Sequence, residues 1–120
     1  MRKILLVEDE KEASGDIANF LKRQGYEVAS AYNGKEALRL LAEEEFTLAI
    51  VDLILPDMHG QELMQLIRRN KKTRNLPIIV STGLGDKPTE ELCSKLGANV
   101  FLTKPYTVEE LLNAVRECLV

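Results

Sequence analysis

Short apolar segments of strand length alternate along this chain with longer segments whose apolar residues recur at helical spacing. The strand-length segments cover residues 4–7, 26–31, 48–51, 77–80 and 100–103. This alternation is typical of repeated strand–helix–strand units, which build parallel sheets. The pattern predicts an α/β fold, a single doubly wound (βα)5 domain with five parallel strands and five helices.

The apolar stripes also predict which helix faces lie against the sheet. Gly25 and Gly97 are expected to end the first and fourth helices. The fourth is expected to contain Leu92 and Leu96 after a loop with Gly83, Gly85 and Pro88. In the first helix we expect Ala13, Ile17, Phe20 and Leu21 to face inward, and in the second Ala37, Leu38 and Leu41. In the third helix the expected inward residues are Leu63, Leu66 and Ile67, and in the fifth they are Leu111, Leu112, Val115 and Leu119. A capping box of Thr107 and Glu110 is expected to start the fifth helix.

Four of the five strands are followed by, or end in, chemically capable side chains. Glu8 and Asp9 follow the first strand and Asp52 the third, Thr82 follows the fourth, and Lys104 follows the fifth. The carboxyl ends of parallel strands form one edge of the sheet, where ligands bind in open α/β folds. Three acids, a hydroxyl and an amine at that edge predict a phosphoryl-transfer site.

Asp52 is the most informative of these residues. It follows four apolar residues in the expected central strand, where an unpaired carboxylate is costly unless a cation is near. Magnesium fits a cluster of Glu8, Asp9 and Asp52 because it takes hard oxygen ligands together with phosphate. Aspartate can then act as a nucleophile toward phosphorus, with Lys104 and Thr82 on the remaining phosphoryl oxygens.

Composition narrows the possible classes of protein. With 120 residues, 45% of them hydrophobic, we expect one domain spanning residues 1–120. A net charge of −3 argues against direct nucleic-acid binding, and the short apolar runs argue against a membrane span or a signal peptide, so a cytoplasmic protein is expected. Cys93 and Cys118 are interpreted as small buried or half-buried residues, and the acidic run 43–45 and the basic run 68–74 as solvated surface.

At this point the chain resembles the receiver domain of two-component response regulators, the chemotaxis regulators included, over residues 3–119. The resemblance lies in residues 4–10, 52–60, 77–82 and 102–106. It implies a flavodoxin-like strand order of 2-1-3-4-5. It also implies the site roles: Asp52 as phosphoacceptor, Glu8, Asp9, Asp52 and the backbone carbonyl of Ile54 around Mg²⁺, and Thr82 and Lys104 on the phosphoryl group.

The same resemblance implies how the signal would travel. Phe101 is the expected aromatic switch, turning inward when Thr82 moves toward the phosphoryl group. A histidine kinase or phosphotransfer protein would dock at the first helix and supply the phosphoryl group. The domain would catalyse its own phosphorylation and dephosphorylation and regulate an output domain or partner, as a monomer or as a phosphorylation-dependent dimer through the fourth helix, fifth strand and fifth helix.

Three other functions fit parts of the pattern. A phosphatase with an aspartate nucleophile would need a second acid two residues after Asp52, where Ile54 stands. A flavin mononucleotide binder would need a phosphate-cradling loop after the first strand, where Glu8 and Asp9 would repel phosphate. A receiver fold used only as a protein-interaction scaffold is the third.

Three further residues near the expected site are interpreted individually. His59 is interpreted as an exposed loop residue, and apolar Ile54 and Leu84 as residues that slow loss of the phosphoryl group.

Overall fold

The computed structural model of the chain describes residues 2–120, which form five strands alternating with five helices. The strands are β1 (Lys3–Val7), β2 (Glu27–Ala31), β3 (Leu48–Val51), β4 (Ile78–Thr82) and β5 (Val100–Thr103). The helices are α1 (Lys11–Arg23), α2 (Gly34–Glu43), α3 (Gly60–Arg69), α4 (Lys87–Lys95) and α5 (Val108–Cys118). Every strand pairing is parallel and the order is β2-β1-β3-β4-β5, so the predicted fold class and strand order are confirmed.

The sheet is covered on both faces, which explains why its central strands are apolar throughout. All four residues of β3 are buried. Successive strand residues point to opposite faces, so Leu5 belongs to a core cluster with α2 and α3, while Ile4 and Leu6 belong to a second cluster with α1 and α5. Two cores on one sheet therefore hold the strand ends at a common edge.

The helix ends follow local chemistry that the sequence displays. Glu10 is the N-cap of α1, and its carboxylate accepts from the amides of Glu12 and Ala13. Gly25, just beyond α1, has φ of +95°, the left-handed conformation that glycine adopts without strain. The capping box between Thr107 and Glu110 is present at the start of α5. These three ends need no long-range contact to form.

One expected inward residue, Leu66, is wrong, and several others pack against the core but are only half-buried. In α3, Leu66 is 41% exposed and Met64 is fully buried instead, because Met64 and not Leu66 lies on the stripe of Gly60, Leu63 and Ile67. In α1 the fully buried line is Ser14, Ala18 and Leu21, and Ala13, Ile17 and Phe20 flank it half-buried. In α5, Ala114 is buried while Leu112 and Leu119 are half-buried.

The fourth helix also begins earlier than expected. Asp86 is its N-cap and Pro88 lies in its first turn, where a proline lacks only an amide that has no partner within the helix. Pro88 therefore belongs to the helix and not to the preceding loop. Cys93 is fully buried and Cys118 half-buried, in agreement with their interpretation as small core residues. Leu92, beside Cys93, is 45% exposed.

The two charged runs are only partly solvated, which corrects their interpretation. Glu44 is half-buried and forms an ion pair with Lys3. Lys72 donates to the carbonyl oxygens of Ala42 and Glu44, at 3.3 Å each, so the basic run contacts the acidic one. Arg68 is half-buried and donates to backbone carbonyls, including those of Leu76 and Gly97 at 2.7 Å. These cations therefore hold chain segments together.

Candidate functional site

The carboxyl ends of β1, β3, β4 and β5 meet at one edge of the sheet and bring the predicted site residues to it. Glu8 is 3% exposed, Asp52 8% and Thr82 0%, whereas Asp9 is exposed. The strands β1 and β3 are direct neighbours, with Val7 opposite Val51, so the residues that follow them are adjacent. The topology thus explains why residues more than 40 positions apart in the sequence come together at one edge of the sheet.

Three carboxylates form the centre of this edge. One oxygen each from Glu8, Asp9 and Asp52 lies within 4.8 Å of the other two. Like charges this close repel unless a cation lies among them. Hard oxygen donors from two buried acids and one exposed acid, open toward solvent, fit a magnesium ion that keeps part of its water shell. The donor set is therefore suited to Mg²⁺.

Lys104 supplies a resident positive charge. Its ammonium donates to Glu8 and, at 2.9 Å, to Oδ2 of Asp52. Burial by itself lowers the pKa of Lys104, but the hydrogen bonds to Glu8 and Asp52 and the charges of both acids outweigh it, so the pKa lies above its usual value. Lys104 is therefore a firmly charged ammonium in direct contact with the buried aspartate.

The loop after β3 positions the backbone around Asp52. The amide of Ile54 donates to Oδ1 of Asp52 at 3.2 Å, and Ile54 and His59 form an isolated antiparallel bridge. The amide of Gly60 donates to the carbonyl of Leu53 at 2.8 Å, closing the loop. Ile54 thus lies directly beside Asp52. His59 is exposed as the N-cap of α3, as the sequence predicted.

Thr82 and Phe101 lie on the side of the site toward β5. The buried hydroxyl of Thr82 accepts from the amide of Leu84 at 3.3 Å. Phe101 pairs with Val80 across the two strands and is half-buried against the core cluster of α2 and α3. It also lines a pocket of about 130 Å³ together with Ser94 and Ala98. Phe101 is therefore placed beside β4 and α4, away from the acidic cluster itself.

Two groups near the site were not anticipated from the sequence. The carboxylate of Asp57, in the loop after β3, accepts from the amides of Gly34 and Lys35 at 2.8 and 2.9 Å. These hydrogen bonds hold the pKa of Asp57 below its usual value, and the one from the Gly34 amide has the largest effect. The hydroxyls of Ser81 and Tyr106 are hydrogen-bonded at 2.7 Å. Because 22 or more residues separate these partners, no local motif could have revealed them.

A buried aspartate that shares the edge of such a sheet with two further acids and an ammonium defines a class, the α/β signalling domains that accept a phosphoryl group. The family model described as "Response regulator receiver domain" matches residues 4–116. The chain belongs to this family, the receiver domains of two-component response regulators, which are phosphoryl-accepting switches. Receiver domains of this family work with histidine kinases and output domains.

Individual relatives agree with this assignment. The chain is 36% identical over 118 residues to the transcriptional regulatory protein GltR of Pseudomonas aeruginosa, covering 98% of this chain and 49% of GltR. The structure of a putative response regulator from Chloroflexus aurantiacus matches with a TM-score of 0.93 and 31% identity, covering 98% and 97% of the two chains. The structure of chemotaxis response regulator CheY4 of Vibrio cholerae matches with a TM-score of 0.93 and 29% identity, covering 99% of each chain.

The chain spans about half the length of the curated relatives it matches. Within residues 2–120, none of the helices has both the length and the apolar character needed to cross a bilayer.

Proposed function

We propose that Asp52 is the phosphoacceptor of this receiver domain. The observation that carries the proposal is its placement, 8% exposed at the end of the central strand, in contact with Lys104 and within reach of Glu8 and Asp9. A carboxylate so placed, with one oxygen accepting from the ammonium of Lys104 and the other from the amide of Ile54, is held in a single orientation. It is therefore prepared for an in-line displacement at phosphorus.

Glu8, Asp9 and Asp52 would hold Mg²⁺ together with the backbone carbonyl of Ile54. When bound, the ion neutralises charge on the phosphoryl oxygens and so lowers the barrier to attack by an anionic carboxylate. The support is the convergence of three oxygen donors within 4.8 Å and the position of Ile54 beside Asp52.

In the transfer step, a carboxylate oxygen of Asp52 forms a bond to phosphorus while the bond to the donor breaks. The donor is a phosphohistidine of a kinase or phosphotransfer protein, whose imidazole nitrogen keeps the bonding electron pair. The ammonium of Lys104 then pairs with a phosphoryl oxygen instead of the carboxylate oxygen of Asp52. The hydroxyl of Thr82 donates a hydrogen bond to another phosphoryl oxygen. Both residues already lie at this edge of the sheet.

The conformational response would pass through Thr82 to Phe101. Phosphorylation adds close to two negative charges, which attract the Thr82 hydroxyl and the loop after β4. Movement of Thr82 frees space into which the half-buried ring of Phe101 can turn. The pocket of about 130 Å³ that Phe101 lines supports this step, since it leaves one side of the ring unpacked. The altered face of α4, β5 and α5 would then bind an output domain or a second copy of the chain.

Several wider properties complete the proposal. Residues 1–120 form a single receiver domain that catalyses its own phosphorylation and dephosphorylation and acts in the cytoplasm, where a histidine kinase or phosphotransfer protein phosphorylates it. We expect no direct contact with nucleic acid, because the net charge is −3 and Arg68 and Lys72 of the basic run donate to backbone carbonyls. The domain is a monomer or a phosphorylation-dependent dimer.

Intact mass spectrometry tests the central proposal. The native chain and Asp52→Asn are incubated with acetyl phosphate, with and without Mg²⁺. We expect a gain of one phosphoryl group that needs both Mg²⁺ and Asp52. If the native chain gains no mass under conditions that label a control receiver domain, the chain serves as an unphosphorylated scaffold instead.

A further inference from the structure

A pair of hydroxyl groups connects the strand that carries Thr82 to the segment that carries Lys104. Ser81, 3% exposed, precedes Thr82 in β4, and Tyr106 follows Lys104 by two residues. The two hydroxyl oxygens are 2.7 Å apart. A buried hydroxyl costs stability unless it is hydrogen-bonded, and half-buried Tyr106 provides the partner for buried Ser81.

The pair lies on the opposite face of the sheet from Thr82. Ile79, two residues before Ser81, belongs to the core cluster of α1 and α5, and Tyr106 packs against that same cluster. In residues 104–106, the Lys104 segment, the amide of Lys104 donates to the carbonyl of Thr82 at 2.7 Å. The segment is thus attached to β4 twice, once through its backbone and once through Tyr106.

We propose that Ser81 and Tyr106 are positioning residues, whose hydrogen bond holds the Lys104 segment so that its ammonium stays between Glu8 and Asp52. The ammonium is 2.9 Å from Asp52, and a shift of about 1 Å would separate them. Lys104 and Tyr106 line the same surface pocket, together with Ile17 of α1. Burial raises the pKa of Tyr106, although its hydrogen bond with Ser81 acts in the opposite direction. The inference rests on the proposed role of Lys104 in phosphoryl transfer.

The test is a double-mutant cycle of Ser81→Ala, Tyr106→Phe and the double variant, with Tyr26→Phe as the matched control. Both substitutions keep the shape of the core and remove only a hydroxyl. Three quantities are measured: the free energy of unfolding in urea, the rate of phosphorylation by acetyl phosphate with Mg²⁺, and the nuclear magnetic resonance signal of the Lys104 ammonium without Mg²⁺.

Each single variant should be phosphorylated about three- to tenfold more slowly, as expected for loss of one hydrogen bond, while Tyr26→Phe keeps the native rate. The double variant should be no slower than either single variant, because only one bond is lost. Its stability should recover, since no buried hydroxyl is left without a partner. A rate that stays low while stability recovers separates positioning from a purely structural role.

Native rates in both single variants, or effects that multiply in the double variant, would overturn the proposal. The nuclear magnetic resonance signal of the Lys104 ammonium is an independent test of the positioning role. It should change in Tyr106→Phe and in Ser81→Ala even if the native chain takes up no phosphoryl group, in which case only the proposed function fails. An unchanged signal in both variants overturns the positioning role whatever the rates are.

Discussion

The charges around Asp52 balance only in part, and this imbalance defines what the site can bind. Glu8 and Asp52 are almost fully buried and both contact Lys104, while Asp9 adds a third carboxylate nearby. One ammonium therefore leaves two negative charges uncompensated. A divalent cation would supply the missing charge, and on the proposed function a phosphoryl group would be accepted once that cation is bound.

Replacing Lys104 by glutamine should separate these effects. Loss of the ammonium leaves two buried acids unpaired, so the unfolding free energy without Mg²⁺ should fall by about 1–3 kcal/mol. The more negative cluster should bind Mg²⁺ more tightly, so Mg²⁺ should raise the melting temperature of Lys104→Gln more than that of the native chain. Phosphorylation should nevertheless slow by tenfold or more. A smaller Mg²⁺ effect in the variant would contradict this account.

The exposed side chains of Ile54 and Leu84 should govern how long the phosphoryl group persists. They are 57% and 39% exposed and lie two residues after Asp52 and Thr82. As apolar groups close in sequence to the site residues, they would hinder a hydrolytic water and would offer it no hydrogen bond. Ile54→Asn with Leu84→Gln should shorten the phosphorylated half-life several-fold, measured by decay of the added mass after removal of the donor. The control is Leu92→Gln on α4, since Leu92 is 45% exposed. If the Ile54→Asn, Leu84→Gln variant lost the phosphoryl group at the same rate as the native chain, this effect would be excluded.

At the scale of elements, α2 is attached to the loop that follows β3 and Asp52. Asp57 accepts from the first two amides of α2, and Asn33 accepts from the third, that of Glu36. These amides have no partner within the helix, so the three hydrogen bonds complete its N-terminus. The anionic carboxylate also complements the positive end of the helix dipole. The loop beside Asp52 is therefore stabilised by a neighbouring helix.

This contact predicts a pH-dependent stability. The pKa of Asp57 is lower in the folded protein than in the unfolded chain, so its contribution is present above about pH 4 and is lost as the pH falls through the folded pKa. Asp57→Asn should lower the melting temperature by about 4 °C at pH 7, and the difference from the native chain should shrink below pH 4. Asp16→Asn, on the exposed side of α1, should change little. A difference that stays constant with pH would be inconsistent with this role.

Two glycines on either side of the site should respond to alanine in opposite directions. A Cβ at Gly60 would lie 2.5 Å from the carbonyl oxygen of Asp52 and 2.6 Å from Cα of Leu53, so the loop must shift. At Gly83, a Cβ would meet nothing within 4 Å. Gly60→Ala should therefore destabilise the fold by about 1–3 kcal/mol and slow phosphorylation, whereas Gly83→Ala should stabilise it by about 0.4–1 kcal/mol. Urea unfolding of both variants checks this, and a neutral Gly60→Ala would disprove the close packing.

At the scale of the whole molecule, Arg68 connects the ends of several elements at the edge of the sheet away from the site. From α3 its guanidinium donates to the carbonyls of Leu76, before β4, and Gly97, after α4. Burial lowers its pKa from the usual value, but arginine stays charged at any physiological pH. The planar guanidinium suits this task because its two terminal nitrogens each donate to a different carbonyl.

Arg68→Lys should therefore be destabilising although it keeps the charge. The guanidinium serves the two carbonyls from two separate nitrogens, at 2.7 Å each, and a lysine ammonium lacks this fixed fork. We expect at least one of these hydrogen bonds to be lost or weakened, so the unfolding free energy should fall by about 1–3 kcal/mol. Arg69→Lys, exposed at the end of the same helix, is the matched control and should be neutral. Equal stability of the two variants in urea would show that Arg68 has no bridging role.

Sequence and tertiary structure decided different parts of this protein. The chain by itself determined the strands, most helix ends and the residues at the strand ends, because apolar periodicity and caps such as the Thr107 and Glu110 pair act within a few residues. The site residues Glu8, Asp9, Asp52, Thr82 and Lys104 were predicted because parallel strands align their ends at one edge. The predicted fold was confirmed, and the roles of these residues stay predictions.

Only the tertiary structure decided which side chains complete that framework. It buried Met64 and left Leu66 exposed, because these residues flank the stripe of Leu63 and Ile67 on opposite sides and the core covers only one flank. It also joined Asp57 to Gly34 and Ser81 to Tyr106, pairs separated by 23 and 25 residues. Such contacts depend on where whole elements come to lie, and they leave no periodic or local pattern in the sequence.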